Sequence, residues 1–541
     1  MLKLFTDNVE VTNIIGSNPI FATHLKRQFL LILLSSLILS LGWPPLYTGY
    51  LLLLGFVPLL LLEQEAQKWY RLKIYLSLLL WNIGTTWWVW NASPEGCIAM
   101  LLANSGLMLI PFVIYRRVKR YFGLETGLAA WIISWISMEY LHLNWEIAYP
   151  WLNLGNGLAA LPQAIQWYEY TGTLGGTLWI LLVNALIFTF LSNPTKLNRW
   201  VTISAVIIPF VFSYITFISE ISIYKGKFPE VVVVQPNIDP YQKFEAEDPQ
   251  SEVNYFIKMA ETKLNQNTEF VLFPETGLTE TCEEAYINDA LTYKILKQWL
   301  KKYPKLTLVS GSNTYRFFDS TNRTSTSRRH YSGKYYDVYN SAIVMDQSGV
   351  KDIYRKSKLV PGVEKMPYTK VFSFLENYAI DLGGISGSLG EDSVARVFYS
   401  QNKIGAAPLI CYETIFGEYV SEFVKNGANV IFILTNDGWW GNTPGYRHHK
   451  LYARLRAIET RRDVVRCTNT GTSCVIDKTG KINGETHWWK AATMRYSIHP
   501  NSKFTFYTKH GDYLGKLAAW LFSIVFIMSI AGKAISRKIF S

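Results

Sequence analysis

The chain has 541 residues, 49% of them hydrophobic, 15% aromatic and only 17% charged, with a net charge of +12. This apolar content excludes a disordered chain, and 5 Cys in such a length exclude a disulfide-built scaffold. An ordinary soluble domain carries about a quarter charged residues, so the chain is short of charge, and the shortage is concentrated in its first 220 residues.

That region alternates long apolar runs with short polar links. The runs are Phe29–Leu41, Leu46–Leu62, Ile74–Trp90, Cys97–Tyr115, Gly127–Leu141, Thr173–Leu191 and Val201–Ile218, and one more, Leu514–Ile535, lies near the C-terminus. Most approach the roughly 20 residues that a helix needs to cross a bilayer while satisfying its own backbone hydrogen bonds. About eight spans are therefore expected. Alternate links are basic: Lys68, Arg71 and Lys73, then Arg116, Arg117, Lys119 and Arg120, then Lys196 and Arg199. The intervening links, Gly42–Pro45, Asn91–Gly96 and Leu143–Tyr170, contain no Lys or Arg. By the positive-inside rule both termini are cytoplasmic, and everything between the seventh and last spans lies on the opposite side. Much of the +12 is thus topological signal, and no nucleic-acid partner is expected. The first run is followed by Trp43-Pro44-Pro45 with no small-residue cleavage site, so it reads as a retained signal anchor. Trp and Tyr crowd the span ends, as at Trp87, Trp88 and Trp90, or Trp145, Tyr149 and Trp151.

Residues 228–505 follow a different rhythm. Val231–Val234, Phe270–Phe273, Leu306–Ser310, Ser341–Met345, Ala406–Ile410, Val430–Leu434 and Val464–Thr468 are short apolar runs bounded by turn residues. Ser251–Asn267, Ala285–Lys301 and His448–Arg462 carry apolar residues at helical spacing. Alternating strands and helices predict an α/β layered domain. Thr314–Tyr339, rich in Ser, Thr, Tyr and Arg, reads as a long loop or arm. The expected organisation is a tail (1–27), a seven-span membrane domain (28–220), the α/β domain (228–505), a last span (513–535) and a short tail (536–541).

Chemistry is expected at strand ends. One strand runs into Pro274-Glu275-Thr276, and another into Cys411-Tyr412-Glu413 followed by a helical stretch. A cysteine at a strand-to-helix turn lies near a helix N-terminus, which favours the thiolate. Between these segments lies Tyr354-Arg355-Lys356-Ser357-Lys358-Leu359-Val360-Pro361-Gly362-Val363-Glu364-Lys365-Met366-Pro367. Taken together, these segments resemble the nitrilase, or carbon–nitrogen hydrolase, superfamily, whose Glu, Lys and Cys occur in that chain order. Thr435-Asn436-Asp437-Gly438-Trp439-Trp440-Gly441, His448 and Ala453-Arg454-Leu455-Arg456-Ala457-Ile458-Glu459 are similar to that superfamily as well. The flanking spans, with Trp43-Pro44-Pro45 and Pro150-Trp151-Leu152-Asn153-Leu154-Gly155, narrow the resemblance to the apolipoprotein N-acyltransferase family. Two departures are Lys243-Phe244, where the family tends to show Lys-Trp, and the expanded arm Thr314–Tyr339.

The resemblance implies an αββα sandwich joined to the polytopic helical domain, in a cell inner membrane with the catalytic domain periplasmic, and a monomer. It implies transfer of a fatty acyl chain from a phospholipid, through a thioester, to the N-terminal amine of a diacylglyceryl-cysteine lipoprotein. Cys411 would be the nucleophile, Glu275 the general base and acid, and Lys356 the oxyanion partner. Glu364 would orient Lys356, and Tyr412 and Glu413 would shape the turn. Trp439, Trp440, Met366 and Tyr368 are candidates for an apolar lid that keeps water from the thioester. No cofactor is expected. No metal is expected either, since adjacent His448-His449 lack the i, i+4 spacing of a helical zinc site. Cys467 and Cys474 lie on neighbouring strand-like runs, and whether they pair stays open. A membrane-anchored amidase or nitrilase-type hydrolase, with water as acceptor, is the alternative. A transporter would show ionisable residues in mid-span, and few are present. The topology has a direct test: a reporter fused after Ser541 should be cytoplasmic and one inserted in 314–339 extracytoplasmic, and the reverse pattern would overturn the orientation.

Overall fold

The computed structural model describes residues 19–65, 68–221, 227–240, 248–368 and 388–539. Lys243-Phe244 lies outside the described residues. Every N-terminal apolar run becomes helical: α1 (Pro19–Leu41), α2 (Val57–Glu65), α3 (Tyr70–Thr86), α4 (Pro94–Phe122), α5 (Leu124–Asn144), α6 (Tyr168–Ser192) and α7 (Lys196–Glu220). The second run departs from expectation. It is a 3-10 turn, Gly49–Leu53, followed by the 9-residue α2, instead of one long helix. At the break Asn184 of α6 adds to the turn's own bonds, which run from the Val57 N–H to the Leu54 carbonyl and from the Gly55 N–H to the Leu52 carbonyl. Asn184 Oδ1 accepts from the N–H groups of Phe56 (2.8 Å) and Val57 (3.1 Å), while its Nδ2 donates to the Leu52 carbonyl at 2.9 Å.

The α/β domain contains thirteen strands among the described residues: β1 (Glu230–Gln235), β2 (Thr268–Glu283), β3 (Thr307–Phe318), β4 (Arg328–Arg329), β5 (Tyr335–Asp346), β6 (Gly349–Arg355), β7 (Phe398–Tyr399), β8 (Gly405–Ile410), β9 (Val430–Thr435), β10 (Val464–Thr468), β11 (Cys474–Ile476), β12 (Ile482–Glu485) and β13 (Ala492–Ser497). One sheet has the order β13-β1-β2-β3-β5-β4 with β6 on β5, and the other β12-β11-β10-β9-β8-β7. Their side chains alternate as a period of two requires. Val231, Val233, Phe270 and Leu272 fill the space between the sheets, where the Phe270 and Phe432 rings meet at 5.0 Å. Val232, Val234, Val271 and Phe273 face the other way, onto α8 (Pro249–Glu261) and α9 (Leu291–Leu300). Helices α10 (Gly417–Lys425) and α11 (Pro444–Thr460) pack on the second sheet through Val420, Phe423, Ala453 and Ala457, which completes an αββα order of layers. A short α12 (Phe506–His510) leads into α13 (Tyr513–Ile539). Helices α1, α4, α6, α7 and α13 are long and apolar enough to cross a membrane.

Of the expected long loop or arm at 314–339, the two ends extend the sheet and the residues between them, apart from the short β4, form the connecting turns. β3 and β5 stay paired from Thr314↔Tyr339 to Phe318↔Tyr335. Alternating aromatics hold the ribbon, with Phe317 and Tyr336 ring centroids 5.7 Å apart across the strands.

The two domains share one core. Tyr412, Ile415, Leu451, Tyr452, Leu455 and Ile458 belong to the same buried cluster as Trp43, Trp81, Trp151 and Tyr168 of the helical domain. The two helical-domain motifs dock α11. Trp43 donates its indole N–H to the Tyr452 hydroxyl (3.2 Å), the Pro44 carbonyl bonds to His448 Nε2, and Tyr452 donates to the Trp151 carbonyl (2.8 Å). Beyond Trp151, Gly155 lies so close to α6 that a Cβ there would sit 1.9 Å from the Thr173 carbonyl oxygen. Further along, Arg461 binds Glu169 at 2.9 Å and Gln166 at 2.6 Å. Because Tyr452 both accepts and donates in a dry joint, Tyr452→Phe strands two buried groups at about 1–3 kcal/mol each. A lowered unfolding midpoint of the detergent-solubilised full chain is expected, and an unchanged midpoint would show the joint indifferent to this bridge.

Candidate active site

Glu275, Lys356 and Cys411 come together where strands of both sheets end, on the side facing the helical domain. Glu275 lies at an irregularity inside β2, whose pairing with β3 skips from Phe273↔Ser310 to Leu278↔Ser312. Thr276 has φ +48°, and the displaced loop passes directly over Gly311. A Cβ on Gly311 would fall 2.5 Å from the Pro274 oxygen and 2.6 Å from the Glu275 Cα, so only glycine leaves room. Three donors aim at the Glu275 carboxylate: Lys356 Nζ at 3.2 Å and Asn340 Nδ2 at 2.8 Å on Oε1, and the Asn436 backbone N–H at 3.1 Å on Oε2.

Lys356 follows β6 directly. Its N–H donates to the Asn340 carbonyl at 2.8 Å, and its side chain is 1% exposed. Glu364 returns to it through a turn. Glu364 Oε1 accepts from Lys356 Nζ at 2.8 Å, and Oε2 accepts from the Val360 N–H at 2.8 Å. Burial alone would lower the ammonium's pKa, but Glu275 and then Glu364 outweigh it and hold the pKa well above the usual lysine range. The lysine is therefore a fixed cation.

Cys411 follows β8 at φ +48°, a strained left-handed position for a non-glycine residue. It opens a 5-residue 3-10 turn, Cys411–Ile415, and α10 begins only at Gly417. Here the geometry corrects the expectation of a helix-activated thiolate. Burial, and after it the charge of Glu275, push the thiol's pKa up, with Lys356 and Thr435 opposing. The upward shift favours the thiol form, whose proton a neighbouring base would have to take.

Glu413 connects the two loops. Its Oε1 accepts from the N–H of Ser357 (2.7 Å), the N–H of Lys358 (3.2 Å) and the Tyr354 hydroxyl, while Oε2 accepts from the Ile410 N–H (2.8 Å). Burial raises its pKa, against the hydrogen bonds from Tyr354, Ile410 and Ser357 and the charge of Lys356. Tyr412 points the other way and donates to the Ala148 carbonyl of the helical domain at 2.9 Å.

Behind Cys411 runs a buried polar chain that sequence reasoning does not reach. Asp437 binds Arg466 Nη2 through Oδ2 and His449 Nδ1 through Oδ1 at 3.0 Å, and His449 Nε2 meets the Cys411 carbonyl at 3.0 Å. Burial works against the Asp437 charge, but Arg466 and then His449 bring its pKa down to about 2. His448, by contrast, is kept neutral, with burial lowering its pKa to about 4. Asn340 is missed for the same reason as this chain: a single Asn on a strand carries no signal without its partners. Cys467 and Cys474 are both free thiols, and Cys467 Sγ lies against the carbonyls of Val234 and Leu272.

Cys411 and Tyr412 also line an apolar cavity of about 160 Å³ whose other walls include Trp88, Met100, Tyr149, Trp151, Val363 and Trp440. Of the four candidate lid residues, only Trp440 lines it, with its ring 5.1 Å from Trp88 and 5.6 Å from Trp151. Tyr368 lines a separate cavity of about 450 Å³ next to it, with Lys358, Lys365 and Glu146. Trp439 and Met366 line neither.

Residues 230–502, just over half of the chain, match the family described as Carbon-nitrogen hydrolase, and residues 35–186 match the Apolipoprotein N-acyltransferase N-terminal domain. The chain is 29% identical over 508 residues to the apolipoprotein N-acyltransferase of Chlorobaculum tepidum, covering 90% of this chain and 94% of that protein. It is 25% identical to that of Geobacter metallireducens (91% and 94%) and 24% identical to that of Thermotoga maritima (93% and 93%).

The chain behind Cys411 has a consequence for stability. Asp437→Asn leaves the fully buried Arg466 without its carboxylate, which is expected to cost about 3–5 kcal/mol. The unfolding midpoint should fall in Asp437→Asn and recover in part in Asp437→Asn/Arg466→Met. Equal midpoints for Asp437→Asn and the unmodified chain would show that the ion pair contributes no net stabilisation.

Proposed function

The chain belongs to the carbon-nitrogen hydrolase family, and from this membership we propose how its Glu, Lys and Cys carry out acyl transfer on lipoproteins. It is a membrane protein and an acyltransferase of lipoprotein maturation, as the named relatives that match almost its full length support. The donor is a phospholipid. Glu275 takes the Cys411 proton as sulfur attacks the ester carbonyl. Lys356, together with a backbone N–H beside Cys411, stabilises the oxyanion. Collapse breaks the ester C–O bond, Glu275 returns the proton to the departing lysophospholipid alcohol, and a thioester remains on Cys411. The lipoprotein's α-amine then attacks, loses a proton to Glu275, and the amide forms as the sulfur leaves and is reprotonated. Glu364 and Asn340 hold Lys356 and Glu275 in register, and Glu413 keeps the lysine loop against the nucleophile turn.

The observation that carries this reading is the apolar cavity at Cys411, walled by both domains. A hydrolase needs water at the thioester, whereas an acyl chain seated in this cavity, against the wall formed by Trp88, Trp151 and Trp440, excludes it. The amidase alternative draws support from the α/β domain alone. The proposed arrangement is a monomer with eight crossings, the second made by the broken pair at Gly49–Glu65. Both termini are cytoplasmic and the domain 228–505 faces the periplasm of an inner membrane, which is supported by the alternation of basic and neutral links.

Incubation of the purified full chain with acyl-labelled phospholipid is expected to leave label on Cys411, and Cys411→Ala should carry none. Glu275→Gln should acylate about 10²–10⁴-fold more slowly. Added diacylglyceryl peptide should discharge the label to its amine faster than water does. Discharge to water alone would overturn the transferase reading, and absence of label would overturn the thioester.

A further inference from the structure

The membrane domain carries a second cavity, at the end away from Cys411. About 660 Å³ in volume, it is lined by Arg71 at the start of α3 and by Arg116, Arg117 and Arg120 at the end of α4, with Trp69 and Val113 beside them. From Tyr70 the 17 residues of α3 run to Thr86, next to the Trp88–Trp440 contact beneath the α/β domain. At 1.5 Å per residue this is about 25 Å, close to the hydrocarbon thickness of a bilayer. The cavity therefore sits at the membrane face opposite the one that carries the α/β domain.

Basic residues at this face are expected from topology alone, and topology would be served equally well by arginines fanned into solvent. Here the exposed Arg71, Arg117 and Arg120 and the half-buried Arg116 all line one concavity. The buried carboxylate beside it, Glu63, is already engaged, by Arg116 Nε at 3.6 Å and Lys119 Nζ at 2.5 Å. Arg116 also lies 4.4 Å above the Tyr70 ring. Among the described residues no carboxylate pairs with Arg71, Arg117 or Arg120. Trp69, 74% exposed at φ +57°, stands at the rim where an indole meets headgroups. From the cavity a stripe of exposed apolar residues, Leu72, Leu76, Leu80 and Ile83, descends along α3. Cationic pockets between spans suit phosphate headgroups, and planar guanidinium groups match phosphate oxygens two at a time.

The geometry points to a binding site for an anionic phospholipid, its phosphate held by Arg71, Arg117 and Arg120 and its acyl chains lying along α3. The phosphate recognition would be shared by a free anion. The apolar stripe that continues from the cavity assigns the ligand to the bilayer. The site is separate from the acyl-transfer centre and stands or falls independently of it.

The test is native mass spectrometry of the full chain released from detergent, with phosphatidylglycerol, phosphatidylcholine or inorganic phosphate added. The unmodified chain is expected to retain one more phosphatidylglycerol than Arg71→Gln/Arg117→Gln/Arg120→Gln, with phosphatidylcholine adducts equal in both and Cys411 acylation unaltered. The exposed single variants Arg117→Gln and Arg120→Gln, which guard against misfolding of the triple, should each weaken phosphatidylglycerol retention by up to about tenfold. Equal phosphatidylglycerol counts in all variants, or parallel loss of phosphatidylcholine, would overturn the site. Displacement of the lipid by excess inorganic phosphate would overturn the lipid assignment.

Discussion

A lysine ammonium with 1% of its side chain exposed is the constraint around which the α/β domain is arranged. Taken from water alone, such a charge is costly by several kcal/mol, and it is retained only where opposite charges and hydrogen bonds are fixed in advance. Glu275 and Glu364 supply the charges, and Asn340 bridges the two carboxylates at 2.8 and 3.2 Å. Each partner imposes a further condition. Glu275 can reach Lys356 only because β2 breaks register, and β2 can break register there only because residue 311 has no side chain. Glu364 can reach it only because the chain turns back within eight residues.

The two halves of the molecule are bound by the same logic of buried groups. The helical domain presents Trp43-Pro44-Pro45 and the turn at Pro150–Leu152 to α11, and these elements join through hydrogen bonds inside a continuous apolar core. Residues that look like interfacial aromatics in sequence, Trp88 and Trp151 among them, are interior: they meet Trp440 of the α/β domain and form walls of the cavity at Cys411.

What was legible in the sequence is local. The strands that end near Glu275 and Cys411 announce themselves by short apolar runs, and the spans by length. The resemblance added which residues to join. What was illegible depends on pairing over long separations. Asn340 matters because it faces Glu275, 65 residues earlier. His449 suggests at most a metal until the fold lays it between Asp437 and the Cys411 carbonyl. The interruption after Leu53 is hidden in an unbroken hydrophobic run because the group that makes it tolerable, Asn184, lies 128 residues away. The sheet extension at the two ends of 314–339 was concealed by its polar composition, since its aromatics act in cross-strand pairs that composition does not reveal.

The cavity beside Cys411 has walls from both domains, with Met100 and Gly96 of α4 on one side and Val360 to Val363 on the other. With the proposed phospholipid as donor, an acyl chain would enter it from the leaflet without crossing bulk water. For such a ligand the governing variable is its mole fraction in the lipid, not its molarity in solution. Encounters are two-dimensional, set by lateral diffusion and by how many neighbours in the annulus carry the right ester. Diluting the sample would leave turnover unchanged, while diluting the membrane with inert lipid would slow it.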